Sequence, residues 1–453
     1  MNKIEYDAVI IGAGPGGYTC AIRISQLGGK ACIVEKDELG GTCTNWGCIP
    51  TKSLIASIQL LKSVKRASRF GIDIKEYNAD FQKVMQRKNT IVKTAVLGIK
   101  NLLDSYNVNV IQGEAHVLSK NEVKVNEATI KAKNIVIATG SNPIIFPNVK
   151  VDGHTVLTSR ELLSIDHVPK ELIIIGGGII GIEFATIFSE LGTRVTIIEM
   201  LPRIIATEDE EIGAELSKSL EKQNVTILTN HKFLEINDNR VKVLNQENKQ
   251  EFEVSAEKIL FAVGRRANFN TEELDKTGVK YEKAIIVDSH LRTNIPNVYA
   301  IGDVNGKYIL AHVAMKQGEV AGENIMGQDK EMNYDAVPSA IFTIPEIASV
   351  GKQYKEGCLT GKFPFAANGK ARADSAIEGF CKVIVKDNKL LGVHIIGENA
   401  SSLIEEAALA IKNNIGVEQV LNTIHAHPTL CEILKGAVED ALNRAIDLPK
   451  KGG

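Results

Sequence analysis

Two segments of the chain share one pattern of apolar and polar positions. Residues 9–36 (VIIGAGPGGYTCAIRISQLGGKACIVEK) and 173–200 (IIIGGGIIGIEFATIFSELGTRVTIIEM) both run from an apolar strand through a glycine turn into a helix, and through a second glycine turn into another apolar strand. Each second strand ends in a glutamate, Glu35 or Glu199, 23 residues after the first glycine. The pattern predicts two strand–helix–strand units of one design.

Each unit carries the spacing G-x-G-x-x-G where its first strand turns into the helix. In a dinucleotide-binding unit the first glycine allows a tight turn, the second lets a pyrophosphate approach the backbone, and the third lets helix and strand pack closely. A single such spacing is a weak signal, and a glycine-rich turn that binds nothing is the alternative, but two copies in register with the acidic residue are much stronger. We predict two dinucleotide sites, one for a permanently held cofactor and one for an exchanging cofactor. The glycines are Gly12, Gly14 and Gly17, and Gly176, Gly178 and Gly181.

The acidic residue of the second unit bears on the choice of nicotinamide cofactor. A carboxylate at Glu199 would bond a free ribose 2′-hydroxyl but repel a 2′-phosphate, so it favours NAD over NADP. Arg203 follows four residues later and could favour NADP. The alternative for Glu199 is a side chain that points to solvent.

Two further apolar runs end in turns that are candidate cofactor contacts. The apolar run in KNIVIATGSNP is followed by a turn at Thr139 and Gly140, and the run in NVYAIGDVNG by a turn at Gly302 and Asp303. Ligands bind at the carboxyl edge of a parallel sheet, where such turns lie. Asp303 could hold a cofactor hydroxyl, or it could merely cap a turn.

The remaining pattern predicts one more helix and a change of architecture. The segment YILAHVAMKQGEVAGENIMG has near-helical apolar spacing and would bring another helix N-terminus to the site. After residue 336, strand-like runs such as GFCKVIVK and LLGVHIIG are followed by the helical stretch SSLIEEAALAIKN. This succession of short strands and a helix predicts an α+β region.

Composition and charge limit the classes of function. A chain of 453 residues is too long for one core, so about two to four domains are expected. The net charge of −2 offers no overall attraction for nucleic acid or anionic lipid. The most apolar window contains three consecutive glycines and Glu183, which argues against a membrane span, and the N-terminal segment is unlike a signal peptide. We expect a cytoplasmic protein that binds neither nucleic acid nor membrane.

Two of the seven cysteines lie close together in the segment GGTCTNWGCIPTK. Cys43 and Cys48 could form a static disulfide, half of a metal site or a redox pair. An odd number of cysteines in a long chain without a secretory signal does not describe a disulfide framework. No cysteine or histidine pair accompanies them at zinc-binding spacing, so we expect no metal site. Redox chemistry or coincidence remains.

With these residues in place, the chain resembles the pyridine nucleotide-disulfide oxidoreductases over essentially its whole length. GGTCTNWGCIPTK is similar to the family's active-site disulfide segment, IGAGPGG, IVEK and AIGD to its FAD contacts, GGGIIGIE to its NAD site and HAHPTLCE to its C-terminal catalytic segment. The motifs are jointly very specific in this order and spacing. The chain departs from the family pattern at Trp46, a position between the cysteines that is often small, and at Cys431, beside Glu432.

The resemblance implies an α/β fold with two dinucleotide-binding, Rossmann-like domains and a C-terminal α+β dimerisation domain. The family forms two-fold homodimers, which we expect here too. The implied domains are an FAD-binding domain (1–146), an NAD-binding domain (147–267), a central domain that completes the FAD site (268–335) and an interface domain (336–453).

The resemblance also implies a chemistry: oxidation of protein-bound dihydrolipoamide to lipoamide, with reduction of NAD+ to NADH. Cys43 would meet the substrate, and Cys48 would lie against a tightly but non-covalently bound FAD. His427 of the partner subunit would be the base, oriented by Glu432. The expected partners are the lipoyl domains of a 2-oxo acid dehydrogenase or glycine-cleavage complex.

Two geometric expectations follow for this site. Residues five apart in a regular helix are too distant for a disulfide, whose Cα atoms lie within about 7 Å, so the segment must be distorted, and Gly47 tolerates distortion. By resemblance, Lys52 and Glu183 would form an ion pair beside the flavin. The implied cofactor contacts are Gly12, Gly14, Gly17, Glu35, Lys52, Thr139, Gly140, Gly302, Asp303 and Ala311 for FAD, and Gly176, Gly178, Gly181, Glu183, Glu199 and Gly264 for NAD.

Two alternatives compete with this interpretation. A sibling reductase for glutathione disulfide would favour arginines where Glu199 lies, and one for mercuric ion would typically add a C-terminal cysteine pair, which AIDLPKKGG does not contain. A flavin-bearing subunit that only holds a lipoyl-domain partner is the alternative from another class. The presence together of Cys43, Cys48, His427 and Glu432 speaks against it.

Overall fold

The structure is a computed structural model that describes residues 6–450. The described chain forms an α/β fold with sheets of seven, five, three, two and five strands, in agreement with the fold class expected from the sequence. The strands are β1 Tyr6–Ile11, β2 Ala31–Glu35, β3 Asn109–Gln112, β4 Ala115–Ser119, β5 Glu122–Val125, β6 Ala128–Ile137, β7 Ser141–Pro143, β8 Val156–Leu157, β9 Glu171–Ile175, β10 Arg194–Ile198, β11 Val225–Leu228, β12 His231–Asn237, β13 Arg240–Asn245, β14 Glu251–Ser255, β15 Lys258–Phe261, β16 Arg265–Ala267, β17 Val298–Ala300, β18 Ser339–Ile341, β19 Glu346–Gly351, β20 Leu359–Pro364, β21 Phe380–Lys386 and β22 Lys389–Gly397.

The described α-helices range from four to 25 residues. Across the described part of the chain, none is both long and apolar enough to cross a membrane. The α-helices are α1 Pro15–Gln26, α2 Gly41–Trp46, α3 Cys48–Lys65, α4 Phe81–Ser105, α5 Ser159–Leu162, α6 Ile179–Glu190, α7 Glu210–Lys222, α8 Thr271–Thr277, α9 Ala311–Ile325, α10 Gly369–Ala373, α11 Ala400–Lys412, α12 Val417–Asn422 and α13 Glu432–Ala441. Short 3-10 helices cover Ala67–Phe70, Gly302–Asn305 and Phe365–Ala367.

The first sheet is built around β1. Strands β2 and β6 flank it in parallel, β3 lies beyond β2, and β17 pairs in parallel with β6. The antiparallel strands β4 and β5 extend this sheet from β6. Val9 and Ile10 on β1 belong to different buried clusters, so both faces of the strand are covered. This explains why its sequence from Ala8 to Ile11 is a continuous apolar run rather than an alternating one.

The second sheet repeats this plan. Strand β9 is central, β10 and β15 flank it in parallel, β11 lies beyond β10, and β8 lies beyond β15. The first glycine of each motif donates its N–H to the strand after its helix, Gly12 to Val34 at 2.8 Å and Gly176 to Ile198 at 2.9 Å. The internal repeat predicted from the sequence is therefore confirmed.

The residues after 336 form the predicted α+β region. Strands pair in the antiparallel order β18-β19-β22-β21-β20, and α11 and α13 pack on this sheet. A Cβ at Gly361 on β20 would lie 2.0 Å from the carbonyl oxygen of Ala437 on α13. Only glycine permits this close contact, which holds α13 directly against the sheet.

Ion pairs join α7 of the second unit to the C-terminal sheet. Lys382 on β21 lies 2.8 Å from Asp209, the N-cap residue of α7, and 2.8 Å from Glu211. Lys362 on β20 also lies 2.8 Å from Glu211. Hydrogen bonds from Lys362 and Lys382 lower the pKa of Glu211 to about 2. The two regions are thus connected by partly buried charge pairs as well as by apolar packing.

Candidate active site

One cavity of about 1980 Å³ brings the glycine turns and the cysteine segment together. Its walls include the turns after β1, β6, β9, β15 and β17, all at the carboxyl ends of parallel strands, where α/β sheets bind ligands. Every cofactor contact expected from the sequence lines this cavity except Gly181, which packs inside its own unit. Cys43 and Cys48 line it too.

In the first glycine turn, each glycine has a different reason to lack a side chain. Gly12 has φ +107°, and a Cβ there would lie 2.4 Å from the carbonyl oxygen of Ala138. A Cβ at Gly17 would lie 1.9 Å from the carbonyl oxygen of Gly12, so α1 packs directly on β1. A Cβ at Gly14 would meet no atom within 4 Å. The space in front of the N-terminus of α1 is therefore open to a ligand.

The second glycine turn has the same construction. Gly176 has φ +109°, a Cβ at Gly181 would lie 2.1 Å from the carbonyl oxygen of Gly176, and a Cβ at Gly178 would meet no atom within 4 Å. The paired glutamates also match, because Glu35 accepts the N–H of Ala13 at 2.7 Å and Glu199 accepts that of Gly177 at 2.7 Å.

The surroundings of Glu199 bear on nucleotide choice. Its second carboxylate oxygen accepts the N–H of Leu201 at 2.8 Å, so the side chain is held at the cavity rather than directed into solvent. Arg203 donates instead to the carbonyl oxygens of Ala206, at 2.8 Å, and Glu208, at 2.7 Å. Its guanidinium is thereby engaged in holding the loop before α7.

The cysteine segment is bent as its spacing predicts. Helix α2 ends at Trp46, Gly47 has φ −142° and ψ −111°, and α3 begins at Cys48. The interruption brings the two cysteines, both present as thiols, within hydrogen-bonding distance of each other. Cys48 therefore stands in the first turn of α3, where free backbone N–H groups favour a thiolate.

This arrangement makes the two cysteines chemically different. The hydrogen bond from the Cys43 thiol lowers the pKa of Cys48 to about 7, against the effect of burial, and the positive charge of Lys52 acts in the same direction. The same hydrogen bond, together with burial, raises the pKa of Cys43. Near neutral pH, Cys48 is the cysteine that carries the negative charge.

The ion pair expected between Lys52 and Glu183 is confirmed. The Lys52 ammonium lies 2.8 and 2.9 Å from the two carboxylate oxygens of Glu183, and 4.5 Å from the ring centre of Phe342. Glu183 is 5% exposed and also accepts the backbone N–H of Phe342 at 2.9 Å. The pair links α3 to α6 at the wall of the cavity, four residues after Cys48.

A hydrogen-bonded charged network also lines the cavity; it joins Asp303, a contact expected from the sequence, to Ser141 and Arg265, which the sequence did not single out. Arg265 donates to the hydroxyl of Ser141 at 2.8 Å and to its carbonyl oxygen at 2.6 Å, and that hydroxyl donates to Asp303 at 2.5 Å. Burial raises the pKa of Asp303. Burial lowers the pKa of Arg265, while nearby Asp303 and Cys48 oppose this shift. The one sequence signal for Arg265 was its place directly after Gly264, in the turn that follows β15.

His427 and Glu432 lie together but away from the cysteines. The Nδ1 of His427 is 2.9 Å from Glu432, whose other oxygen accepts the N–H of Thr429 at 2.9 Å. Despite the opposing effect of burial, these two hydrogen bonds lower the pKa of Glu432. The His427 side chain is 75% exposed, and neither residue lines the cavity of its own chain. Within one described chain, the histidine and the cysteines are not brought together.

Comparison with known proteins agrees with this architecture. The family model "Pyridine nucleotide-disulphide oxidoreductase" matches residues 6–318, and the model of that family's dimerisation domain matches residues 337–438. The chain is 40% identical to the dihydrolipoyl dehydrogenase of Chlamydia pneumoniae over 462 residues, which cover 99% of both chains. It is also 40% identical to that of Geobacillus stearothermophilus, over 99% of this chain and 98% of the relative.

Solved structures give the same result. The HOCl-induced flavoprotein disulfide reductase RclA from Escherichia coli has a TM-score of 0.85 at 26% identity, over 96% of this chain and 99% of its own. LpdA from Mycobacterium tuberculosis has a TM-score of 0.86 at 26% identity, over 95% and 99%. The chain thus belongs to the pyridine nucleotide-disulphide oxidoreductase family and is a flavoprotein disulfide oxidoreductase with a C-terminal dimerisation domain.

Proposed function

We propose that this protein is a dihydrolipoyl dehydrogenase that oxidises dihydrolipoamide on lipoyl domains and passes the electrons to NAD+. The observation that carries the proposal is the hydrogen-bonded Cys43–Cys48 pair, with a Cys48 pKa of about 7, in one cavity with two dinucleotide turns. Full-length relatives at 40% identity that bear this name support the substrate.

The first unit fits FAD. The open space before Gly14 can take a pyrophosphate on the N-terminus of α1, and Glu35, held by two backbone N–H groups, can accept a ribose hydroxyl. When bound there, FAD supplies a two-electron relay between the thiols and the nicotinamide. We assign residues 1–146 to FAD binding and residues 268–335 to the completion of its site, through Gly302, Asp303 and Ala311.

The second unit, residues 147–267, fits NAD better than NADP. The open space before Gly178 repeats that before Gly14. Glu199 at the cavity wall would repel a 2′-phosphate, and Arg203 is engaged with the carbonyl oxygens of Ala206 and Glu208. The Lys52–Glu183 pair would lie where flavin and nicotinamide approach each other.

The chain's own thiols carry the first half of the reaction. In the oxidised enzyme, one substrate thiolate attacks the Cys43 sulfur of the Cys43–Cys48 disulfide, and Cys48 leaves as a thiolate. The Lys52 ammonium and the free backbone N–H groups in the first turn of α3 stabilise this thiolate, which makes Cys48 the better leaving group. The second substrate sulfur then displaces Cys43, so lipoamide leaves with a disulfide and the enzyme keeps both electrons as two thiols.

A base is needed because the substrate thiols, with a pKa near 8.5, are mostly protonated at neutral pH. Residues 336–453 form the interface region, and in the homodimer His427 of one subunit would face the cysteines of the other. Glu432 binds Nδ1, so Nε2 is the nitrogen that would take the thiol proton. Glu432 would stabilise the imidazolium that forms.

The decisive assay uses the purified protein with dihydrolipoamide and either NAD+ or NADP+. We expect a yellow protein and thiol-dependent NADH formation that exceeds NADPH formation at least about tenfold, since a 2′-phosphate would meet Glu199. Faster oxidation of NADH with glutathione disulfide or mercuric ion as acceptor would assign the chain to a sibling activity. A colourless protein, or no NADH formation, would overturn the proposal.

The base is tested by His427→Gln, which keeps a polar side chain but cannot take up the proton. We expect turnover of dihydrolipoamide to fall at least about a hundredfold, while reduction of the enzyme by NADH remains. Turnover within a factor of two of the parent would show that His427 is not the base.

A further inference from the structure

A stacked pair links the cysteine segment to the second unit. Trp46, the single tryptophan of the chain, is the last residue of α2 and stands between Cys43 and Cys48. The guanidinium of Arg160 lies 3.8 Å from the centre of its ring. This distance is well inside the range of cation–π contacts. Both side chains line the cavity.

Arg160 is held by a firmly anchored backbone. It lies in α5, where its N–H donates to the hydroxyl of Thr158 at 3.2 Å and Glu161 accepts the N–H of Thr158 at 2.8 Å, forming a capping box. Just after this helix, the carbonyl oxygen of Leu163 accepts a 2.5 Å hydrogen bond from the buried ammonium of Lys88 on α4. The backbone that carries the Arg160 guanidinium is therefore held in place by hydrogen bonds on both sides of the residue.

The cysteine segment, in contrast, has its other anchors on either side of its bend. Asn45 donates to the carbonyl oxygens of Leu39, at 2.9 Å, and Gly41, at 3.0 Å, which holds the start of α2. Thr51 donates to the carbonyl oxygen of Gly47 at 2.7 Å, which holds the start of α3. The stack with Arg160 adds a restraint on Trp46, at the junction of the two helices.

We propose that Arg160 is a positioning residue for the Cys43–Cys48 pair and acts on it through Trp46. This inference rests on the redox role proposed above for the pair. When the pair closes, two thiols lose two protons and two electrons to an external disulfide, whose sulfurs become thiols. In the reduced protein the stack restrains the segment that carries the two cysteines. This restraint raises the effective concentration of one thiol near the other and so favours formation of the Cys43–Cys48 disulfide.

The test is the closure equilibrium of the purified holoenzyme. The protein is equilibrated with mixtures of oxidised and reduced dithiothreitol, quenched in acid and alkylated, and the thiols at Cys43 and Cys48 are counted by mass spectrometry. We expect Arg160→Gln to lower the closure constant about two- to fivefold, the size of an exposed cation–π contact. Arg160→Lys keeps a cation over the ring and should recover most of this loss.

A double-mutant cycle separates this role from a general structural one. In a Trp46→Leu background, Arg160→Gln should change the closure constant by less than about a quarter, since Arg160 then has no ring on which to act. An unchanged closure constant in Arg160→Gln, an increase, or an equal loss in both backgrounds would overturn the inference. A parent protein that forms no Cys43–Cys48 disulfide would instead overturn the proposed function.

Discussion

At the scale of single residues, the two cysteines differ in thiol pKa because of their surroundings. Cys43 and Cys48 have the same side chain, but only Cys48 begins a helix and has Lys52 one turn further along it. The Cys43 thiol also donates its hydrogen bond to Cys48 rather than to bulk water. Lys52 lowers the pKa of both thiols, so the direction of the hydrogen bond between them is what places the negative charge on Cys48.

This asymmetry predicts how the reactivity of Cys48 depends on pH. In the reduced enzyme, alkylation of Cys48 by iodoacetamide should rise with pH around its pKa of about 7. Because the Lys52 ammonium stabilises the thiolate, Lys52→Met should raise this midpoint by about one pKa unit. Lys65→Met on the same helix, where the lysine pairs with Glu190, should leave it unchanged. A midpoint at or below that of the parent in Lys52→Met would contradict the assigned cause.

At the scale of elements, the two glycine turns show that one spacing combines two physical demands. Gly17 and Gly181 lack a side chain because the helix lies against the preceding strand, so that a Cβ would lie only 1.9 and 2.1 Å from the carbonyl oxygen of the first glycine. Gly14 and Gly178 face open space instead. One pair of glycines therefore serves the fold, and the other serves the ligand.

Alanine substitutions in the second turn should separate these demands. Gly181→Ala should lower the free energy of unfolding by about 1–3 kcal/mol, because the methyl group forces α6 away from β9. Gly178→Ala should leave the melting temperature nearly unchanged and raise KM for NAD+ about tenfold, since the methyl group occupies the space before the helix N-terminus. Thermal unfolding and steady-state kinetics of both variants check this. Equal thermal losses in the two variants would contradict it.

At the scale of the whole molecule, function depends on contacts between regions that are distant in the chain. The Lys52–Glu183 pair joins the first unit to the second, and the Lys382–Asp209 pair joins the second to the C-terminal sheet. His427 is exposed on its own chain and does not line the cavity. The relative placement of the regions, and of two copies, therefore determines whether the site is complete.

The link between the second unit and the C-terminal sheet should be sensitive to mutation and to acid. Lys382→Met leaves the buried Asp209 without its cation and should lower the free energy of unfolding by about 3 kcal/mol. Lys242→Met removes only an exposed pair with Glu251 and should scarcely change the melting temperature.

The pH dependence of this link follows from Glu211. Its pKa falls from 4.5 to about 2 in the folded protein, so its contribution is complete above about pH 4.5 and is lost as the pH falls toward 2. Melting temperatures between pH 5 and pH 3 should therefore fall less in Lys382→Met than in the parent. Parallel curves for the two proteins would argue against this linkage.

The shared site of the dimer can be tested by mixing two inactive variants. In a hybrid of Cys48→Ser and His427→Gln chains, one site carries both changes, while the other has an intact cysteine pair and the intact His427 of the other subunit. An equal mixture, unfolded and refolded together, should regain about a quarter of the parent activity, because half of the dimers are hybrids and each hybrid has one good site. No recovery from refolded mixtures, when refolded parent is active, would place the two groups in one subunit's site.

Features with a local cause were accessible from the sequence. The glycine turns, the acidic residues after them and the bend at Gly47 follow from backbone geometry and strand periodicity within short windows. Their repetition in register predicted the parallel strands around β1 and β9, and the change of pattern after residue 336 predicted the α+β region. The ion pair of Lys52 and Glu183, 131 residues apart, was expected only through the family resemblance.

Contacts across the fold were not accessible in this way. Asp303 was expected as a cofactor contact, but its link through Ser141 to Arg265 has no distinctive spacing in the chain. The stack of Arg160 on Trp46 likewise joins residues from separate units. The charge difference between Cys43 and Cys48 also depends on burial and on neighbouring groups. The sequence by itself thus determined the fold class, both nucleotide turns and the cysteine pair, because these arise from short-range geometry. The tertiary structure alone decided how the charge is held on Cys48 and which distant side chains support it, because desolvation and electrostatic contact depend on distance in space rather than along the chain.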